Sequence, residues 1–160
     1  MRVAAGWGEP VFVAVVVVWL LWGLARGTRD DWMGAVTAVL SAGLALAVNL
    51  LISHFWVRPR PFADHPGAVH VLLAHSADAS FPSDHAAAGF AVAVVLLRYH
   101  RRLGWAAVAA AVLMCFARVY VGDHYPGDVL AGAAIGTVAG IALGGLGAKA
   151  RRRRAARRLV

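Results

Sequence analysis

R-V-Y-V-G-D-H-Y-P-G-D, residues 118–128, sets an arginine, a histidine and an aspartate at fixed offsets between two apolar segments. Polar groups of this kind are costly at the edge of an apolar phase, so their presence there points to chemistry. The spacing predicts a helix starting near Pro126, which would put His124 and Asp128, four residues apart, on one face with the carboxylate orienting the imidazole or stabilising its charge. Arg118, six residues before the histidine, carries a planar fork of donors suited to phosphate oxygens. Together they point to a histidine nucleophile for phosphoryl transfer.

Working outward, the flanks are too apolar for an ordinary soluble domain. Of the 160 residues, 61% are hydrophobic and 15% charged. That length accommodates about five membrane helices of roughly 20 residues each. The expected fold is all-α: one polytopic membrane helix bundle over residues 1–148, followed by a basic cytoplasmic tail at 149–160. The single cysteine, Cys115, lies in an apolar run and offers neither a disulfide framework nor a Cys-rich metal site. The net charge of +8 comes partly from a tail with no interleaved aromatic residue, so it is read as a membrane feature and not as a nucleic-acid surface.

The apolar runs are Pro10 to Ala25, Trp32 to Val57, Ala86 to Leu97, Leu103 to Ala117 and Val129 to Ala148. The first lacks the basic start and cleavage site of a secretory signal, so it is expected to be a retained helix. The third is short but is preceded by Pro82, Ser83 and Asp84, which read as a helix start. Five spans with the tail inside put 12 of the 16 Lys and Arg residues on the cytoplasmic side; Arg2, Arg58, Arg60 and Arg118 remain. Polar chemistry then gathers at the outward helix ends. Gly132, Gly136, Gly140 and Gly144 recur every four residues and predict close packing of the fifth helix against a neighbour.

Three polar clusters lie at those ends: R-P-R-P-F at 58–62, F-P-S-D-H-A at 81–86, and residues 118–128. As an ordered set they resemble the three-part signature of the type 2 phosphatidic acid phosphatase superfamily, Lys-x6-Arg-Pro, Pro-Ser-Gly-His and Ser-Arg-x5-His-x3-Asp. Aspartate in place of glycine in the second part, with R-P-R-P-F, is similar to the bacitracin-resistance type of undecaprenyl pyrophosphate phosphatase. The resemblance implies a bacterial plasma-membrane enzyme that recycles the cell-wall lipid carrier, hydrolysing undecaprenyl diphosphate through a phosphohistidine. It implies His124 as nucleophile oriented by Asp128, His85 as acid and then base, and Arg60, Arg118 and Ser83 as phosphate ligands, with neither a metal nor another cofactor. A broad phosphatidic acid or phosphatidylglycerol phosphate phosphatase shares this chemistry. A non-catalytic lipid-phosphate binder would not need the histidine pair, and a transporter would place ionisable groups deeper in its spans.

Two positions depart from the signature. Ser53 stands where the lysine is expected, with Arg58 or His54 as replacement charges, and Ala117 stands where serine is usual. Asp84 has two readings, tuning His85 and the phosphate site or capping the third helix. Asn49 and Ser53 share a face that points toward the site. His65, His70 and His75 read as loop histidines at the membrane surface. The tail reads as a topology determinant that touches anionic lipid. Oligomeric state is left open by the sequence.

Overall fold

The computed structural model describes residues 29–65 and 79–157, with residues 14, 17–19, 21, 22 and 25 of the segment before them and side chains as far as Gly145. Among the described residues there are helices and no strands. Helix α1 runs Arg29–Phe55, the single turn α2 Pro61–Asp64, α3 Asp84–Tyr99, α4 Arg101–Tyr120 and α5 Pro126–Arg157. The described residues between 14 and 25 are helical too. Among the described residues three stretches are long and apolar enough to cross a membrane: Arg29–Phe55, Arg101–Tyr120 and Pro126–Gly145. The protein is thus a multi-pass membrane protein.

The expected third span is α3, whose 16 residues reach about 24 Å at the helical rise of about 1.5 Å per residue. It is the central helix. It packs against α1, α4 and α5, and Ala86, Ala87, Ala91, Ala93, Val95 and Leu96 are buried along it. Small residues meet it from α1, at Ala35, Ala38 and Ala45, and from α5, at the glycines and Ala139. Large apolar side chains point the other way, among them Leu40, Leu50, Leu113, Phe116, Leu130 and Ile141. In lipid, helices gain nothing from hiding leucine from one another and associate through close backbone approach, which accounts for this inverted distribution.

The glycine series of α5 does what its spacing predicts. A Cβ on Gly132 would lie 2.3 Å from the Ser83 carbonyl oxygen, and one on Gly136 would lie 2.0 Å from that of Ala87. Gly140 faces Ala91 and Gly144 faces Arg98, so the two helices advance together and run parallel. Helix α5 also continues through the basic tail to Arg157, since Ala, Arg and Lys are strong helix formers. At the end opposite the clusters, His100 meets Asp31 at 2.6 Å and Trp19 packs edge-on against His100, tying α1 to the α3–α4 joint.

Candidate active site

The cluster at 118–128 is built on a helix end. Arg118 lies in the last turn of α4, and Gly122, at φ 74°, takes the left-handed conformation that glycine adopts at little cost. The Gly122 N–H donates to the Val119 carbonyl at 3.0 Å and the Asp123 N–H to the Arg118 carbonyl at 3.1 Å. This pair of bonds is a Schellman termination, which turns the chain back across the end of α4. Asp123 and His124 follow immediately and are both buried. Helix α5 begins at Pro126, so His124 precedes it and does not share a helical face with Asp128.

That geometry changes the expected histidine–aspartate contact. His124 Nδ1 lies 2.8 Å from the Ser80 carbonyl oxygen, and Ser80 Oγ donates to Asp128 Oδ2 at 2.6 Å. Asp128 therefore reaches His124 through Ser80. Its carboxylate also accepts from the Tyr125 N–H at 2.9 Å, the reach-back of an N-terminal capping arrangement, and from Arg58 Nη1 at 2.9 Å. Arg58 lies over the Tyr125 ring, 3.9 Å from its centroid, and the Tyr125 hydroxyl donates to Asp64 at 2.9 Å.

A carbonyl oxygen only accepts, so the Ser80 contact places the imidazole hydrogen on Nδ1 and leaves a lone pair on Nε2. Burial lowers the His124 pKa; Asp123 and the Ser80 carbonyl oppose this while Arg60 and Arg118 add to it, and the result is about 4 against an ordinary 6.5. The ring is neutral near pH 7. Its Nε2 faces Asp123, 3.7 Å from Oδ2. Asp123 in turn pairs with Arg60 Nη1 at 2.5 Å through Oδ1 and with Arg118 Nη2 through Oδ2. Burial pushes the Asp123 carboxyl up, but Arg118, Arg60 and His124 outweigh it and hold the group below the usual carboxylate range.

The second cluster joins the same place from α3. Ser83 precedes the helix, and its N–H donates to the Asp128 carbonyl at 3.0 Å, which locks the starts of α3 and α5 together. The expected side-chain cap does not form: among the described residues Ser83 Oγ is buried and has no hydrogen-bond partner. Such a group is stabilised by an incoming acceptor. His85, half-buried, lies in the first turn of the same helix. Asp84 accepts from Asn49 Nδ2 at 2.8 Å and so ties α3 to α1.

The structure thus brings together Arg58, Arg60, Ser83, Arg118, His124 and Asp128, with His85 in the first turn of the helix that Ser83 precedes. The Ser53 hydroxyl is spent on its own helix, donating to the Leu50 carbonyl at 3.0 Å. Arg58 brings a positive charge to the Asp128 side of the site. His65 is an exposed neighbour of Asp64, while His70 and His75 lie outside the described residues. Two participants were not singled out from sequence, Ser80 and Asp123. Ser80 adjoins the second cluster, and Asp123 is an acid between the arginine and histidine of the third.

A family model described as the PAP2 superfamily matches residues 34–151. The chain is 42% identical over 126 residues to the undecaprenyl-diphosphatase BcrC of Bacillus subtilis (strain 168), an alignment covering 79% of this chain and 62% of the relative. It is 37% identical over 128 residues to the putative undecaprenyl-diphosphatase YbjG of Escherichia coli (strain K12), covering 77% and 59%. The chain spans about three-fifths of the length of these curated relatives. The crystal structure of Aquifex aeolicus LpxE superposes with a TM-score of 0.63 at 26% identity and covers 84% of either chain.

Proposed function

The chain belongs to the PAP2 superfamily, and from that premise we propose that it is a membrane phosphatase converting undecaprenyl diphosphate to undecaprenyl phosphate and inorganic phosphate. The observation that carries this reading is the neutral His124, fixed through Nδ1 by Ser80 with Nε2 directed at the Arg60–Asp123–Arg118 cluster. The names of the BcrC and YbjG relatives support the choice of lipid.

In the proposed reaction Nε2 of His124 attacks the terminal phosphorus. A P–N bond forms as the bridging P–O bond breaks, and His85 gives a proton to the departing lipid phosphate. Water then attacks the phosphohistidine, passes a proton to His85 and releases phosphate, with Nε2 regaining its lone pair. Arg60, Arg118 and Ser83 hold the phosphoryl oxygens as charge develops. Asp128 holds Ser80, and thereby the ring, while Arg58 lies on the approach of the diphosphate. The charge distribution along the chain supports an outward site in the bacterial plasma membrane, a single domain to residue 148, and an inward basic tail beside anionic lipid.

The test is phosphate release by purified protein from undecaprenyl diphosphate, phosphatidic acid and phosphatidylglycerol phosphate, with chelator present, beside His124→Ala and His85→Ala. Loss of turnover in both variants and a preference for the diphosphate are expected. Full activity in His124→Ala ends the nucleophile assignment, preference for a glycerophospholipid overturns the substrate, and loss of activity in chelator points to a metal mechanism.

A further inference from the structure

Arg60 and Arg118 approach from different segments, one before α2 and one at the end of α4, and both grip the carboxylate of Asp123. Arg60 is only 7% exposed, and a guanidinium so removed from water needs an anion beside it at all times. Asp123 is itself 1% exposed, and its Oδ2 lies 3.7 Å from the Nε2 lone pair of His124. A phosphorus in line for attack sits about 3–3.5 Å from the nucleophile, and its oxygens need these same two guanidinium forks. Two anions cannot share that space at low cost, because each repels the other where water does not screen them.

We infer that Asp123 is a resident stand-in for phosphate: its carboxylate neutralises Arg60 and Arg118 between turnovers, yields them to the substrate's terminal phosphate, and recovers them as inorganic phosphate leaves. This rests on the phosphate-site reading above. The exchange replaces one set of charge-assisted bonds by another, so the two guanidinium groups are never left bare and the released phosphate meets a competitor covalently tethered beside it. Asp123 is on this account a positioning residue that sets how tightly the site holds free phosphate. A purely structural brace would do the reverse, since its removal would loosen the forks and weaken anion binding.

The experiment is a titration of the full chain in detergent with inorganic phosphate, read by calorimetry and by inhibition of turnover, for the wild type, Asp123→Asn, Asp123→Ser and Arg118→Gln. Asp123→Asn is expected to bind phosphate about tenfold or more tightly than wild type, as loss of a neighbouring like charge and of a competing ion pair requires. Equal or weaker binding by folded Asp123→Asn overturns the inference. If Asn does not fold, Ser at the same position provides the second reading. A variant rescued by high phosphate supports the exchange, and variants that stay unfolded in saturating phosphate count against it. Arg118→Gln separates the two levels. If it binds phosphate as well as wild type, the phosphate-site reading itself fails; if it loses phosphate while Asp123→Asn gains none, only the role of Asp123 falls.

Discussion

Ser80 donates its hydroxyl to Asp128 at 2.6 Å, and its own carbonyl receives the Nδ1 hydrogen of His124. One residue outside every motif thus transmits the carboxylate's hold to the imidazole. Ser80→Ala keeps the carbonyl but leaves a buried carboxylate oxygen short of a donor, a loss of about 1–3 kcal/mol. The expected result is a lower melting temperature and a fall of about tenfold in kcat with little change in KM. Asp128→Asn should cost more, since the Arg58 ion pair weakens as well. Equal losses in the two variants would show that Arg58 contributes nothing through Asp128.

The depressed His124 pKa has a pH signature with a definite sign. Between 6.5 and about 4 the unfolded chain binds a proton that the native imidazole refuses. The associated stability is complete above 6.5 and falls as the pH drops through that window, by on the order of 1.4 kcal/mol per pH unit. An NMR titration of labelled histidine, assigned with His124→Ala, should show this ring changing charge near pH 4; a midpoint near 6.5 would contradict the buried, arginine-flanked setting.

Gly136 and Gly145 form a matched pair on α5. Gly136→Ala drives a methyl group into the Ala87 backbone and should destabilise by about 1–3 kcal/mol. A Cβ at Gly145 meets nothing within 4 Å, so Gly145→Ala should be neutral or stabilise by about 0.5–1 kcal/mol through helix propensity. Thermal unfolding in detergent compares them, and equal shifts would mean that α3 and α5 can separate without penalty.

Arg58 is partly exposed at 40%, and its bonds to Asp128 and its position over Tyr125 place it at the rim. Arg58→Gln should raise KM for the lipid diphosphate by about tenfold while altering stability far less than loss of a buried pair would. Tyr125→Phe, which removes only the exposed bond to Asp64, should leave the melting temperature close to that of wild type. Steady-state kinetics in mixed micelles separate the two effects.

Helix periodicity and charge placement made the helical architecture and its polar end legible, because apolar run length and i, i+4 glycine spacing are local properties of the chain. The cluster residues were legible for the same reason, as Arg118, His124 and Asp128 sit within one short stretch. What the sequence concealed depends on chain direction. The reversal at Gly122 moved His124 off the α5 face, and a contact read as direct between His124 and Asp128 became one relayed by Ser80 from 44 residues earlier. Asp123 was visible as a residue but not as a partner, since its meaning comes from Arg60, 63 residues away. Ser53 shows the converse: its position in the motif suggested a site role, whereas a hydroxyl so short is satisfied by its own helix.

The one-to-one matching of Gly132 with Ser83, Gly136 with Ala87 and Gly140 with Ala91 makes the α3–α5 contact a toothed track. Each glycine notch admits one carbonyl, and the next notch lies four residues, or about 6 Å, along the axis. Small slips are blocked by the non-glycine residues between notches, so the two helices cannot drift past one another by a fraction of an ångström. His85 rides at the head of one helix and the His124 turn leads into the other. The track therefore acts as a mechanical ruler, fixing the height of one imidazole against the other.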